Sequence, residues 1–336
     1  MRKGGKYLLA VLIILVFGIL LGPRVEGLQE KQELPEIHAD LEKLEREIQA
    51  FEAGFKLKAD NEARIVWAND TLKQKTEYAL VYLHGFSASQ EEGDPLHEHF
   101  ARRYRMNAYF ARIAGHGLET SEPFAELTST DMLESALHAL AVGNQIGEKV
   151  ILMGCSTGAT LSLYLAAHHK EDIAGLILYS PNIDVFDPDA KVLTMPWGLQ
   201  IARIVVGSPY REWTPPPPAR QYWYSKYRLE GAAALKSLID GSMTTSTFKK
   251  IDQPLLMLYY YKNEQEQDQV VSIPRMKEMF DQIATPVAQK KAIPMPNTGH
   301  HVLTSRFFSK DIEGVEKATF EFAEEVLGLE SLIDDQ

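Results

Sequence analysis

The sequence predicts an α/β fold, with a mostly parallel central sheet, helices on both faces of the sheet and an inserted cap. Short β-rich apolar runs alternate with helical segments from residue 63 onward, and this alternation is typical of βαβ units. Several of the runs end in Gly, His or Ser. Because ligands bind beyond the carboxyl ends of parallel strands, these residues predict a functional site along that edge of the sheet.

The individual elements are assigned from the apolar runs and from the helical spacing between them. The predicted strands are Arg64–Trp67, Tyr78–Leu83, Ala108–Ile113, Lys149–Met153, Ile173–Tyr179, Leu255–Tyr260 and a run near Ala288–Met295. The segments with helical spacing are Leu127–Ile146, Thr157–His169 and Glu313–Leu327. Together these elements predict one large domain over residues 59–330.

A long insertion interrupts the alternation at about residues 182–250. It contains four consecutive prolines and a cluster of aromatic residues: Trp197, Tyr210, Trp213, Tyr222, Trp223, Tyr224 and Tyr227. An insertion of this length between two strands, close to the expected site, predicts a cap or lid. The alternative is an ordinary helical excursion whose aromatic side chains pack as core.

Composition and charge narrow the classes of function. The chain has 336 residues, 45% of them hydrophobic and 24% charged, which is enough apolar material for a sizeable core. A single cysteine excludes an intrachain disulfide framework and a cysteine-rich zinc site. The formal net charge of −11 argues against a nucleic-acid partner, because phosphates bind basic proteins.

The first 29 residues differ from the rest of the chain. They carry four basic residues and one acidic residue, and residues 7–21 form an uncharged apolar run. At its helical rise this run spans about 22 Å, slightly less than the hydrocarbon core of a bilayer. The pattern predicts a membrane-spanning signal anchor, or alternatively a cleaved signal peptide. We expect the rest of the chain to be periplasmic or extracellular, attached to the membrane or, after cleavage, secreted.

Residues 30–58 predict an amphipathic helical segment. Apolar residues recur there at steps of three and four: Leu34, Ile37, Leu41, Leu44, Ile48 and Phe51. Three heptads are barely enough for a coiled coil. We therefore expect this helix to pack on the body of the protein.

A G-x-S-x-G motif at residues 154–158 lies between a predicted strand and a predicted helix. A sharp strand-to-helix turn strains the backbone at Ser156 and presents its hydroxyl above the sheet. Gly154 and Gly158 allow neighbouring backbone to approach closely, and the helix N-terminus favours a developing negative charge. Ser156 is therefore the candidate nucleophile, and Cys155 is expected to be a small packed residue of the turn.

A serine nucleophile needs a base that a third group orients. In strand-turn-helix hydrolase sites the chain order is serine, acid, histidine. The histidines that follow the last predicted strand are His300 and His301, and either of them could reach the serine.

The acid is expected after the predicted strand at residues 255–260. Glu264, Glu266 and Asp268 follow that strand. Asp268 is preferred because an apolar pair at residues 270–271 would pack and hold its carboxylate toward the base. Asp184, which follows the preceding strand, is the alternative acid.

A tetrahedral intermediate also needs preorganised hydrogen-bond donors. The expected donors are the backbone N–H of Thr157, directly after the nucleophile, and that of Phe86 in the His84-Gly-Phe loop. His84 is expected to brace that loop, and His116 is expected to be structural. The histidines lack metal-ligand spacing with acids, so no metal is predicted.

The motifs occur in the order found in the α/β-hydrolase superfamily. The chain resembles the lysophospholipase, monoacylglycerol lipase and carboxylesterase-like branch of that superfamily through five motifs: His84-Gly-Phe, Gly115-His-Gly, Gly154-x-Ser-x-Gly, Asp268-x-x-Val and Gly299-His-His-Val. The similarity runs from about residue 64 to residue 327. Residues 1–58 are not part of the usual core of the family, and the polar loop at 263–269 lacks the glycine that often precedes the family acid.

This resemblance implies ester hydrolysis through an acyl-enzyme, without a cofactor, by Ser156, Asp268 and His301. His301 is chosen over His300 because the His-Val-Leu sequence resembles the start of the helix that follows the catalytic histidine in these hydrolases. The substrate class implied is a small-molecule or lipid ester.

Two other functions remain open at this point. A serine peptidase or amidase would use the same three residues, because fold does not determine the substrate. A catalytically inactive, membrane-anchored binding protein is the non-enzymatic alternative, and the intact order of serine, acid and histidine argues against it.

Overall fold

A seven-stranded, mostly parallel β-sheet forms the centre of the protein in a computed structural model that describes Gly18 and residues 20–332. The strands are β1 Arg64–Val66, β2 Thr76–Leu83, β3 Asn107–Phe110, β4 Gly147–Cys155, β5 Ile173–Tyr179, β6 Tyr210–Glu212, β7 Lys226–Arg228, β8 Leu255–Tyr259 and β9 Lys290–Pro294. The sheet order is β1-β3-β2-β4-β5-β8-β9, and only β1 runs antiparallel to its neighbour. The predicted sheet is therefore confirmed.

Helices cover both faces of this sheet, as predicted. They are α1 Leu41–Ala53, α2 Leu96–Arg103, α3 Ser129–Ile146, α4 Thr157–His168, α5 Gly198–Val206, α6 Leu229–Ser242, α7 Thr245–Phe248, α8 Ile273–Gln282 and α9 Ile312–Glu325. Residues of α3, α4 and α8 share one hydrophobic cluster, and residues of α2 and α9 share the other. Each cluster thus fills one side of the sheet.

The alternating direction of successive side chains along the central strands explains the two hydrophobic clusters. In β2, Val81 joins the α3–α4 cluster and Tyr82 joins the α2–α9 cluster; in β4, Leu152 and Met153 divide in the same way. All four side chains are fully buried. Successive side chains of a strand point to opposite faces, and a fully buried leucine contributes about 1.5–3 kcal/mol to the free energy of unfolding.

The insertion at residues 182–250 contains α5, α6, α7 and a small β6–β7 hairpin. Ala234 and Leu238 of α6 are buried in the same cluster as α3 and α4. Trp223 lies edge-on to Phe308, with ring centroids 5.0 Å apart. The insertion therefore packs on one face of the sheet and also contacts the loop that follows β9.

The helix within residues 30–58 is shorter than predicted and covers Leu41–Ala53. It begins at Asp40, whose side chain accepts the Lys43 N–H, and this cap stops the helix from extending toward residue 30. Leu44 and Ile48 are buried against the body, and the buried Glu52 pairs with Arg112 at 2.6 Å. Leu34 and Ile37 pack on the same core from an irregular segment.

Most of the predicted signal anchor lies outside the described residues, which begin with Gly18 and continue from residue 20. Across the described part of the chain, no helix combines the length and apolar character needed to span a membrane.

Candidate active site

Ser156 lies at the sharp turn that joins β4 to α4. Its φ of +53° and ψ of −113° fall outside the regions that ordinary residues prefer, and such strain is typical of nucleophile turns. The Ser156 N–H donates to Tyr179 O at 2.9 Å, and the Ser156 carbonyl accepts the Asn182 N–H at 3.2 Å. Hydrogen bonds to the end of β5 and to the residues after it therefore hold the strained residue in place.

The two glycines of the motif allow this turn to pack tightly. A Cβ on Gly154 would lie 2.6 Å from the carbonyl carbon of Gly158. A Cβ on Gly158 would overlap the carbonyl group of Leu83 at the end of β2. Since any other residue would clash with backbone at both positions, only glycine lets α4 start directly against the sheet.

The structure brings Asp268 and His301 together at the same edge of the sheet. His301 Nδ1 and Asp268 Oδ2 are 2.6 Å apart. Asp268 follows β8 and His301 follows β9, and these strands are parallel neighbours. The second carboxylate oxygen, Oδ1, accepts the N–H groups of Val270 and Val271 at 2.8 and 3.2 Å, so the predicted apolar pair orients the acid through its backbone as well.

Burial and pairing act in opposite directions on both groups. Burial alone would raise the pKa of Asp268, but the positive charge and hydrogen bond of His301 hold that pKa below its ordinary value. Burial alone would lower the pKa of His301, but the Asp268 carboxylate raises it above its ordinary value. The pair therefore favours an ionised acid beside an imidazole that accepts protons readily.

His300 and Asp184, the alternative residues, lie elsewhere. The His300 ring stacks on Phe308 with centroids 4.6 Å apart, and its Nδ1 accepts the Val302 N–H at 3.0 Å. Burial lowers the pKa of His300 to about 4. The Asp184 carboxylate accepts its neighbour's N–H and forms an ion pair with Lys236 at 3.3 Å.

The other acidic candidates, Glu264 and Glu266, lie on an exposed loop. Glu266 pairs with Lys262 at 2.8 Å, and Glu264 accepts the Tyr261 hydroxyl at 3.0 Å. Their contacts are therefore local to the loop, as expected for solvated charges.

The loop after β2 lies directly beside Ser156. A Cβ built on Gly85 would be 3.2 Å from the Ser156 Cβ. Thr157 is the first residue of α4, so its N–H is one of those that a helix leaves unpaired. Among the described residues, the N–H groups of Phe86 and Thr157 donate no hydrogen bond, and they are the two predicted oxyanion donors.

The histidines of the loop turns are buried and have structural contacts. His84 Nε2 accepts the Ile113 N–H at 3.1 Å, and its Nδ1 lies 2.9 Å from Gly85 O. Burial lowers the pKa of His84 to about 4 and that of His116 well below its ordinary value. Both rings are therefore neutral near pH 7, and they pack edge-to-face at 5.0 Å.

One residue at the site was missed by the sequence analysis. Glu92 is 2% exposed, and its Oε2 accepts the Gly85 N–H at 2.6 Å. Burial raises the pKa of Glu92 to about 7. In sequence it is one of two adjacent glutamates, which look like ordinary surface charges, and nothing in the motif order singles it out.

Comparison with known proteins agrees with this architecture. The α/β hydrolase family matches residues 80–311, which include the strand-turn-helix motif, Asp268 and His301. The chain belongs to the α/β hydrolase family, and the predicted resemblance to lipases and esterases is confirmed.

Individual relatives are lipolytic enzymes. The chain is 25% identical to a thermostable monoacylglycerol lipase from Bacillus sp. (strain H-257) over 227 residues, or 67% of this chain and 83% of the relative. Its fold is similar to that of a metagenome-derived lipolytic enzyme from a study of LipS and LipT, with a TM-score of 0.64, 17% identity, and 80% and 98% of the two chains covered. The Paleococcus ferrophilus monoacylglycerol lipase aligns with a TM-score of 0.58, 12% identity and the same coverage.

Replacing Asp268 tests the electrostatic account of the pair. We expect Asp268→Asn to lower the pKa of His301, because the carboxylate that stabilises the imidazolium is lost while the burial remains. An NMR titration of the histidine Cε1 protons measures this pKa, which should lie above the ordinary histidine value in the unmodified protein and below that value in the variant. Asp184→Asn is the matched control and should leave the pKa of His301 unchanged. An equal titration of His301 with and without Asp268 would contradict the account.

Proposed function

We propose that the protein is a serine ester hydrolase that works through an acyl-enzyme on Ser156. The observation that carries this proposal is the buried Asp268–His301 pair, held at the carboxyl edge of the sheet where the strained Ser156 turn also lies. In this arrangement the strained serine has the role of the nucleophile, the imidazole that of its base, and the acid that of the group that orients the base.

The first half of the reaction forms the acyl-enzyme. With Asp268 ionised, His301 carries its proton on Nδ1, so Nε2 is free to accept the hydroxyl proton of Ser156 as Oγ attacks the ester carbonyl. The carbonyl oxygen of the ester becomes negatively charged and is stabilised by the N–H groups of Phe86 and Thr157. His301 then gives the proton to the leaving alcohol, and the carbon–oxygen bond of the ester breaks.

The second half releases the acid. His301 accepts a proton from water, the resulting hydroxide attacks the acyl carbonyl, and the same two N–H groups stabilise the second tetrahedral intermediate. Collapse returns the proton to Ser156 Oγ and frees the carboxylic acid. Because His301 must be neutral at both attacks, the rate rises with pH through the pKa of His301, which lies above its ordinary value.

Aromatic side chains beside the oxyanion loop support an apolar acyl group as the substrate's acid part. Phe86 packs on Phe124 at 4.6 Å and on Tyr227 of the insertion at 5.4 Å. Apolar walls with a few polar groups are typical of small-molecule sites. Together with the monoacylglycerol lipase relatives, this supports a lipid monoester, such as a monoacylglycerol or a lysophospholipid.

Replacing Ser156 tests the proposed nucleophile. The unmodified protein should hydrolyse p-nitrophenyl esters and bind a fluorophosphonate probe covalently, and Ser156→Ala should lose the labelling and at least about a thousandfold in kcat/KM. Ser162→Ala, whose hydroxyl bonds to Gly158 O within α4 at 2.8 Å, is the matched control and should keep both properties. The proposal is contradicted if the probe does not label the unmodified protein, or if that protein cleaves aminoacyl amides faster than esters.

We also propose that the protein is attached to a lipid bilayer through its N-terminal apolar run, with the catalytic domain outside the cytoplasm and the insertion facing the lipid. Trp197 Nε1 donates to Gly18 O at 3.0 Å, so the end of the run lies beside α5. On that helix Ile204 and Val205 are each 80% exposed, and Leu21 of the run is 78% exposed. Exposed apolar side chains next to an apolar terminus support a membrane-facing surface.

Tryptophan fluorescence tests this orientation. With the full chain in vesicles that contain brominated lipids, we expect partial quenching of the emission, because bromine quenches only indoles that it contacts. Trp197→Phe should abolish most of the quenching, whereas Trp67→Phe, which replaces a 7% exposed indole, should retain it. The same quenching with and without Trp197 would rule out the proposed orientation.

A further inference from the structure

Glu92 is a buried acid that the proposed reaction does not use. It lies in the short helical turn Gln90–Gly93 after β2, and 2% of its surface is exposed. Its main chain is tied to the segment that follows the base, because Thr304 Oγ1 donates to Glu92 O at 2.7 Å. A carboxyl group held this far from solvent carries a large desolvation cost unless it has polar partners.

The partners of the carboxyl group belong to the site. Glu92 Oε2 accepts the N–H of Gly85 at 2.6 Å and the Tyr82 hydroxyl at 3.2 Å. Gly85 precedes Phe86, the proposed oxyanion donor, and lies beside Ser156. The Glu92 bond therefore holds the residue that sets the direction of the Phe86 N–H.

The carboxyl group also faces the other titratable groups of the site. Tyr82 of β2 donates its hydroxyl to it, and burial together with the negative charge of Glu92 raises the pKa of the Cys155 thiol in β4. The same negative charge favours the protonated form of His301. His97 of α2 packs edge-on to Tyr82 at 4.9 Å, and burial lowers its pKa to about 3. Of these groups, His301 is therefore the one whose protonated form is favoured.

On the outer side of the same turn the charges are separately paired. Arg306 forms ion pairs with Glu91 and Asp94. The neighbouring glutamate therefore points to a surface arginine, whereas Glu92 points to the loop beside Ser156. Two adjacent residues of one type have different surroundings, which supplies a matched pair for an experiment.

We propose that Glu92 is a positioning residue of the hydrolase, whose carboxyl group accepts the Gly85 N–H and so fixes the oxyanion loop beside Ser156. This inference rests on the proposed ester hydrolase function and adds a second acid to it. Glu92 acts through Gly85 and does not itself contact the reacting atoms.

Two substitutions separate the hydrogen bond of Glu92 from its charge. Glu92→Gln keeps a carbonyl oxygen that accepts the Gly85 N–H but removes the charge. Glu92→Leu is close in size and removes both. If the hydrogen bond fixes the loop, the glutamine variant keeps most of kcat. The leucine variant has a lower kcat, because its Gly85 N–H is buried without an acceptor.

The experiment measures kcat and KM for ester hydrolysis by the full-length protein and its variants. We expect Glu92→Leu to lower kcat about tenfold to a hundredfold with KM within about twofold, since it disturbs a donor used in the transition state. We expect Glu92→Gln to keep kcat within about threefold, because its amide oxygen still accepts the Gly85 N–H. Glu91→Gln should match the unmodified protein in both measurements.

Two results would overturn the proposal. One is a Glu92→Leu variant with the kcat of the unmodified protein. The other is a Glu92→Gln variant whose kcat falls tenfold or more although its amide oxygen can still accept the Gly85 N–H, and this result decides alone if the leucine variant does not fold. Failure of the proposed function is distinguishable, because in that case the unmodified protein and Glu91→Gln would also show no ester hydrolysis.

Discussion

The contact between the start of α4 and the ends of β2 and β4 is the constraint on which the rest of the site depends. Gly158 lies directly on the Leu83 carbonyl, and this approach leaves no room for a side chain. Because the helix starts so close to the sheet, Ser156 adopts a strained conformation and its Cβ comes next to Gly85. One close backbone contact therefore positions both the serine and the loop that carries the proposed oxyanion donor Phe86.

A buried pair of one acidic and one basic side chain completes this arrangement. Asp268 and His301 come from loops after adjacent parallel strands, so the sheet sets their separation. Their mutual attraction, together with the Val270 and Val271 N–H bonds to Asp268, outweighs the desolvation that opposes each charge, as the directions of both pKa shifts indicate. Glu92 differs because burial prevails and its pKa rises to about 7. The site thus contains one acid that stays ionised and one whose charge changes near neutral pH.

Much of the fold was predictable because each strand is a short apolar run with a clear end. The serine turn was predictable because steric limits require glycine at two fixed positions, and Asp268 because an apolar pair follows it. Glu92 was not predictable, since its turn at residues 90–93 packs against Thr304, which is 212 residues away in sequence. The length of α1 was overestimated because hydrophobic spacing continues beyond Asp40, where the chain is already irregular.

The central claim is that Ser156 and His301 act together in one catalytic step. A double-mutant cycle on kcat/KM for ester hydrolysis tests this claim most directly. Residues that act together in one step lose their contributions together, so either substitution alone removes nearly the whole effect. The account predicts that Ser156→Ala, His301→Ala and the double variant have nearly equal residual activities. If the double variant instead lost the product of the two single-variant factors in kcat/KM, the two side chains would contribute independently, and the claim would be contradicted.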